Sequence, residues 1–220
     1  MKSTAFASYR KFTALLALVA GVSWAVPVAA AAAKLPDLTS VLGELRKGGY
    51  VIYFRHAPTE VEGPGDEGSD LAKCETQRNL TPEGRRQSTQ TGNAFRTLRI
   101  PVGTVTSSRV CRCTDTANLA FGHFTVSDDV YVSVGADPAE TRRLTKALRR
   151  MLSTTPAKGT NAVIVSHMSN LHEAAGIWPK PEGVAYVFRP IANGDFEAIA
   201  MVLPEDWVKV AALKSQGKSR

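Results

Sequence analysis

The sequence lacks the features that most nucleic-acid-binding and membrane-spanning proteins carry. Its 220 residues include 27 lysines and arginines against 20 acidic residues. These cations form no long basic run interleaved with aromatic residues, so no nucleic-acid partner is expected. After residue 34 no apolar stretch is long enough to cross a bilayer. The composition, 44% hydrophobic and 21% charged, is typical of a globular protein, and the length suits one α/β domain.

Cysteine is also scarce, with Cys74, Cys111 and Cys113 as the complete set. These residues lack the paired C-x2-C or H-x3-H spacing of closed zinc sites. Binding of a metal by the three cysteines is therefore the weaker alternative, and we expect no metal and no other cofactor. In an oxidising compartment the same three residues permit one disulfide and leave one thiol.

The first 33 residues predict an export signal that is cleaved. Lys2, Arg10 and Lys11 form a basic start, the apolar run at residues 12–30 follows, and the alanines at residues 29–33 supply A-x-A cleavage sites. A transmembrane anchor is the alternative, but this run is near the lower length limit for spanning. We expect a periplasmic or secreted protein without stable membrane insertion, in which residues 34–220 form a single domain.

Strands and helices alternate along this domain. Apolar runs predict three buried strands, at residues 50–54, 104–106 and 162–165. Start and stop signals predict five helices, at residues 37–47, 82–98, 110–121, 138–153 and 170–175. A weak strand is expected at residues 130–133, and a hairpin around Asn193-Gly194. The alternation predicts a three-layer α/β/α sandwich with a largely parallel central sheet.

Histidines and arginines follow the ends of the three predicted core strands. They are Arg55 and His56 after the first strand, Ser108 and Arg112 after the second, and His167 after the third. In open α/β sheets, ligands bind outside the carboxyl ends of the strands, so these side chains are expected to converge. Guanidinium groups offer planar, bidentate donors to phosphate oxygens. The pattern therefore predicts a site for a phosphate dianion.

Four short segments around these residues form an ordered set of motifs. They read R-H-A-P-T at 55–59, N-L-T-P-E-G-R-R-Q at 79–87, S-R-V-C-R-C-T-D-T-A at 108–117 and V-I-V-S-H at 163–167. In this order they resemble the R-H-G-x-T, L-T-x-x-G-x-x-Q, S-P-x-x-R-A-x-x-T-A and second-histidine segments of the histidine phosphatase superfamily, which includes the phosphoglycerate mutases. The resemblance covers about residues 48–203 and implies the fold of that superfamily.

The resemblance also implies catalytic roles. His56 would attack phosphorus and form a phosphohistidine that water later hydrolyses, while Arg55, Arg112 and His167 would hold the non-bridging oxygens. Thr59 and Ser108 are expected to contact the substrate as well. Covalent catalysis divides one difficult displacement into two easier ones, and fixed cations can replace a metal ion in phosphoryl transfer.

The proton donor for the leaving group has no clear equivalent in the sequence. Asp128 and Asp129, just before the weak strand, are the first choices, and Asp129 is taken as the catalytic acid. The alternatives are carboxylates in the long loop after the first motif or on the segment after His167, namely Glu60, Glu62, Asp66 and Glu173. Gln77 and Arg78 either line the pocket or cap the following helix.

A Cys74–Cys111 disulfide is favoured over Cys74–Cys113, and it would tie the loop after the first motif to the segment carrying Arg112. Cys111 and Cys113 stand two apart on a predicted helix and point in different directions, which makes them poor partners for each other. The sequence as a whole predicts an exported, metal-independent phosphatase for a small phosphorylated substrate. The alternatives are a mutase and a catalytically silent phosphate- or anion-binding envelope protein of the same fold.

Overall fold

The computed structural model describes residues 35–62 and 68–216, so the predicted export signal lies outside the described residues. Within these residues six helices are found, α1 (Leu38–Leu45), α2 (Pro82–Leu98), α3 (Cys111–Phe121), α4 (Pro138–Ser153), α5 (Met168–Ala175) and α6 (Pro204–Gln216). Six strands accompany them, β1 (Val51–Arg55), β2 (Val102–Ser107), β3 (Thr125–Val126), β4 (Asn161–Ser166), β5 (Ala185–Ile191) and β6 (Asp195–Val202). None of the described helices combines the length and apolar character that crossing a bilayer requires.

Local signals explain where the long helices begin. The Thr81 side chain accepts a hydrogen bond from the Gly84 N–H at the start of α2, and Pro82 occupies the first turn. At the start of α4 the Asp137 carboxylate accepts from the N–H groups of Ala139 and Glu140. Such caps satisfy backbone donors that have no partner within the helix. The predicted bounds of α2 and α4 are confirmed for this reason.

The strands form one mixed sheet in the order β3-β2-β4-β1-β5-β6. The pairs β3–β2, β2–β4 and β4–β1 are parallel, whereas β5 and β6 form the predicted antiparallel hairpin and β5 pairs antiparallel with β1. The carboxyl ends of β1, β2 and β4 consequently lie at one edge of the sheet. The amino end of β5 meets the same edge because its direction is reversed.

Helices cover both faces of this sheet. On one face Ile52 and Phe54 of β1 join a core that includes Phe95 of α2 and Trp207 of α6. On the other face Val51 and Tyr53 pack into a core formed mainly with α4 and α5. Successive strand residues point to opposite faces, so the continuous apolar run of β1 supplies both cores. The predicted three-layer α/β/α sandwich is confirmed.

Two elements differ from the prediction. The expected strand at residues 130–133 is wrong, because Val130 ends a single helical turn (Asp128–Val130) and the edge strand β3 lies earlier. Val130 is fully buried through packing and not through strand pairing. Helix α6 was not predicted, although its sequence contains apolar residues such as Trp207 and Val210. Its Trp207 docks 4.6 Å, ring centroid to ring centroid, from Phe95, a contact distant in sequence.

Candidate active site

His56 follows β1 and is held by hydrogen bonds on both sides. Its backbone N–H donates to Ser166 O at 3.0 Å, and its ring Nδ1 lies 3.0 Å from Ala57 O. A carbonyl oxygen can only accept, so Nδ1 carries the proton and the neutral ring keeps the lone pair on Nε2. The arrangement leaves one specific nitrogen of His56 able to act as a nucleophile.

The surroundings of His56 favour its neutral form. The residue is 2% exposed, and burial is the main cause that holds the pKa of the His56 imidazole well below its usual value. The positive charges of Arg112, Arg55 and Arg78 lower this pKa further. A histidine with this pKa carries no proton on Nε2 at neutral pH.

His167 faces His56 across the end of the sheet, with the ring centroids 5.7 Å apart. An Arg112 Nη2 lies 3.2 Å from His167 Nδ1, and since a guanidinium only donates, Nδ1 accepts. His167 Nε2 therefore carries the proton and donates to Ser108 Oγ at 2.9 Å. Burial, followed by the Arg112 charge, also lowers the pKa of His167 well below its usual value. The buried hydroxyl of Tyr53 donates to the carbonyl of this residue at 2.6 Å.

Arg112 is almost fully buried in the first turn of α3, and two contacts hold the start of this helix. The N–H of Cys111 donates to Gln77 Oε1 at 2.9 Å, so Gln77 caps α3 and not the helix that follows it in sequence. Cys111 is also joined to Cys74 by a disulfide, as predicted, and Cys113 keeps a buried thiol. These links fix the backbone that presents Arg112 to His167.

One carboxylate, that of Glu182, gathers the remaining polar groups of the site. It accepts from Arg55 Nη2 at 2.9 Å and from the N–H and hydroxyl of Thr59 at 2.9 and 3.1 Å. Arg78 donates to Thr59 Oγ1 and lies 3.5 Å from the same carboxylate. Glu182 Oε1 is 3.9 Å from His56 Nδ1. The partly buried carboxylate of Glu182 thus links Arg55, Arg78 and Thr59 beside His56.

Solved structures with the same arrangement of helices and strands are known. A candidate alpha-ribazole-5'-P phosphatase from Escherichia coli K-12 is similar with a TM-score of 0.52 and 13% identity, over 71% of this chain and 98% of that one. The chain has the histidine phosphatase fold. The protein histidine phosphatase SixA complexed with tungstate has a TM-score of 0.49 and 15% identity, with 71% and 98% of the two chains covered. No family model matches the sequence, and no curated protein does.

Within this histidine phosphatase fold the structure brings together most of the predicted site residues. Arg55, His56, Arg112 and His167 meet at the sheet edge. Ser108 contacts this group through His167. Thr59 contacts it through Glu182. Their placement agrees with the expected convergence, and their catalytic roles remain predictions.

Asp129, the expected proton donor, is placed elsewhere. Its carboxylate lies 2.6 Å from Arg143 and 3.3 Å from Arg150, both on the exposed side of α4. Asp128 pairs with Arg109 in a similar way. The arginine-rich face of α4 attracts Asp129, so none of its described contacts is with His56 or His167. The structure therefore offers no support for Asp129 as the acid.

The other candidate acids have no described contact with the histidines either. Glu60, Glu62 and Glu173 are exposed, and Asp66 lies outside the described residues. Among residues 35–62 and 68–216 no group of three or more histidine, cysteine or acidic side chains is arranged to hold a metal ion.

Sequence reasoning missed Glu182 and left Arg78 outside the core site. Glu182 stands in a loop between two prolines and β5 and belongs to none of the four motifs. A usable signal did exist. The predicted hairpin means that β5 runs antiparallel to β6. If β5 also paired antiparallel with β1, the residues just before β5 would lie at the sheet edge that carries His56. In the structure Gly183 N donates to His56 O at 2.8 Å, and Arg55 N donates to Val184 O at 3.1 Å.

A cleft of about 800 Å³ adjoins the cluster through Arg112. Arg112 is the cluster residue among its described lining residues, and His56 and His167 are themselves nearly inaccessible. The cleft is lined by the loop before the disulfide, the start of α3 and the segment leading into α4, with the side chains Ser69, Leu71, Val110, Arg112, Tyr131, Val132, Val134, Ala136, Asp137 and Glu140.

Proposed function

We propose that this protein is a phosphatase that hydrolyses phosphomonoesters through a phosphohistidine on His56. The observation that carries the proposal is the neutral His56 ring, protonated at Nδ1 and bearing its lone pair on Nε2, beside three arginines and a second histidine. A nucleophilic nitrogen surrounded by fixed cations matches the requirements for attack on a phosphate dianion.

The proposed reaction has two displacements. His56 Nε2 forms a bond to phosphorus while the bond to the ester oxygen breaks, and the leaving oxygen departs with the bonding pair. Water then attacks the phosphohistidine, a proton from that water is released, and inorganic phosphate leaves with His56 regenerated. Arg55 and Arg112 would offset the charge on the phosphoryl oxygens in both transition states, and the neutral His167 would donate a hydrogen bond to these oxygens, which is where fixed donors lower the barrier.

Departure of the leaving oxygen is the step of the proposed reaction that the described residues assist least. Glu182 is occupied by Arg55 and Thr59, and Asp129 is paired on α4. Since no other carboxylate of residues 35–62 and 68–216 has a described contact with the histidines, we expect this oxygen to depart as an anion or to take its proton from water. We therefore expect esters of acidic alcohols, such as phenols, to be cleaved much faster than esters of simple alkyl alcohols.

The decisive experiment measures hydrolysis of 4-nitrophenyl phosphate in the presence of EDTA. We expect turnover by the protein, a loss of at least about 10⁴-fold in His56→Ala, and near-normal rates in His123→Ala, an exposed histidine outside the cluster. Rapid acid-free quenching with labelled substrate should trap phosphohistidine. Phosphate binding without any turnover would instead favour the silent anion-binding protein.

We further infer that the phosphatase acts outside the cytoplasm, in the periplasm or after secretion. Support comes from the basic, apolar and alanine-rich order of residues 1–33 and from the Cys74–Cys111 disulfide, a bond that persists in oxidising compartments. Fractionation of expressing cells and amino-terminal sequencing of the product should find a chain that begins near residue 34. Recovery of the uncleaved chain in the cytoplasm would refute this.

A further inference from the structure

The walls of the cleft beside Arg112 are largely apolar. Leu71, Val110, Val132 and Val134 line it together with the ring of Tyr131. Val134 is 74% exposed and Leu71 37% exposed. When a ligand covers large aliphatic side chains that are exposed to water at a concave surface, the burial makes the binding free energy more favourable.

The charges of the cleft are asymmetric. Arg112 is the one basic side chain among the described lining residues, and it also contacts His167. The acidic lining residues, Asp137 and Glu140, sit at the start of α4. Asp137 already caps this helix, and Glu140 pairs with Arg143 at 2.8 Å. Among the described lining residues Arg112 is therefore the one cation, and both carboxylates already have partners in α4.

We propose that this cleft binds the organic group of the phosphomonoester, and that this group is uncharged and largely apolar. The inference rests on the proposed function, and it names the substrate class as phosphate esters of apolar alcohols or phenols. Val134 and Leu71 act as specificity residues. Ligands with a second anionic group, such as a phosphorylated carboxylic acid or a bisphosphate, are disfavoured because their extra negative charge faces Asp137 and Glu140.

The size of the cleft agrees with this substrate class. About 800 Å³ lies within the range of pockets that enclose drug-sized ligands. A fully buried methylene group contributes roughly a fourfold gain in affinity. Lengthening an alkyl chain on a fixed phosphorus group should therefore raise affinity stepwise until the chain leaves the cleft.

The test uses alkylphosphonates, which keep the phosphorus group and cannot be hydrolysed at the P–C bond. Calorimetric titration with methyl-, propyl- and hexylphosphonate should give affinities that rise on the order of thirtyfold or more from the shortest to the longest. Propylphosphonate should also bind at least about tenfold more tightly than 3-phosphonopropionate, which has the same chain length and an added carboxylate.

Variants connect this result to the cleft. Val134→Asp should reduce the hexyl-to-methyl affinity ratio by about fivefold or more, and Val134→Leu should retain the ratio. Leu213→Asp is the matched control, since Leu213 is a similarly exposed aliphatic residue on α6 and does not line the cleft. Circular dichroism of each variant checks that the fold is retained.

The outcomes separate the two proposals. Equal affinity for all three alkylphosphonates, or tighter binding of 3-phosphonopropionate, would overturn the apolar substrate class even if 4-nitrophenyl phosphate is hydrolysed. A chain-length effect that Val134→Asp leaves unchanged would also overturn it. Absence of turnover with a normal chain-length effect would refute the phosphatase and support the cleft as the site of an apolar phosphorylated ligand.

Discussion

Two regions of this protein contain carboxylates paired with arginines, and they differ in burial. At the sheet edge Glu182 pairs with Arg55, and the two side chains are 20% and 14% exposed. On α4, Asp129 pairs with Arg143, and these side chains are 34% and 45% exposed. Water and salt screen the second pair, whereas the first lies where electrostatic interactions are stronger. Burial, more than the number of arginines, distinguishes the candidate site from a charged surface.

The largest difference in activity between the two regions is expected when one arginine is removed from each. Arg112→Ala should lower kcat/KM for 4-nitrophenyl phosphate by at least about 10³-fold, because a buried cation that stabilises the transition state is lost. Arg143→Ala should change it by less than about twofold. Steady-state kinetics checks both. Comparable losses in the two variants would mean that burial does not define the site.

Substitution of Glu182 should have the next largest effect, on both unfolding free energy and activity. Glu182→Ala leaves Arg55 partly buried without its carboxylate, so unfolding free energy should fall by about 3 kcal/mol and kcat/KM by roughly 10²-fold through misplaced Arg55 and Thr59. Glu182→Gln keeps hydrogen-bond acceptance and should recover part of both. Denaturant titration and kinetics measure them. Wild-type activity in Glu182→Ala would remove Glu182 from the site.

Lowering the pH should destabilise the folded protein through His56 and His167. The pKa values of His56 and His167 are lowered in the folded protein, so the unfolded chain takes up their protons first as the pH falls below about 6.5. Their contribution therefore destabilises the fold progressively below that pH, by at most about 1.4 kcal/mol per pH unit for each histidine. His56→Asn should reduce the loss of unfolding free energy between pH 7 and 5.5 by about 1 kcal/mol.

The control for this pH effect is His123→Asn, which replaces an exposed histidine and should leave the pH dependence close to that of the unaltered protein. Denaturant titrations at several pH values measure all three proteins. An unchanged pH dependence in His56→Asn would contradict a lowered pKa for this group.

The smallest effect is expected at the surface pair. Asp129→Asn should change unfolding free energy by no more than about 0.5 kcal/mol and should leave kcat/KM within about twofold. A loss of more than about tenfold in kcat/KM, accompanied by a lost alkaline limb in the pH–rate profile, would restore Asp129 as the proton donor.

Local patterns made the fold and most of the site predictable. The apolar runs that became β1 and β4 and the capped starts of α2 and α4 are signals carried by neighbouring residues. The rule that ligands meet the carboxyl ends of parallel strands then placed His56 and His167 together. Arg78 was missed because no periodicity or strand end marks it, and Glu182 was missed because the pairing of β5 with β1 was not predicted.

The sequence by itself determined the order of elements, the strand ends that carry Arg55, His56 and His167, and the residues available for a disulfide. Tertiary structure decided which carboxylate reached the site. Glu182 was brought there by the antiparallel pairing of β5 with β1, and Asp129 was drawn to the arginines of α4. The physical reason is that charged side chains reach several ångströms from the backbone, so their partners depend on which elements pack together and not on neighbours in sequence.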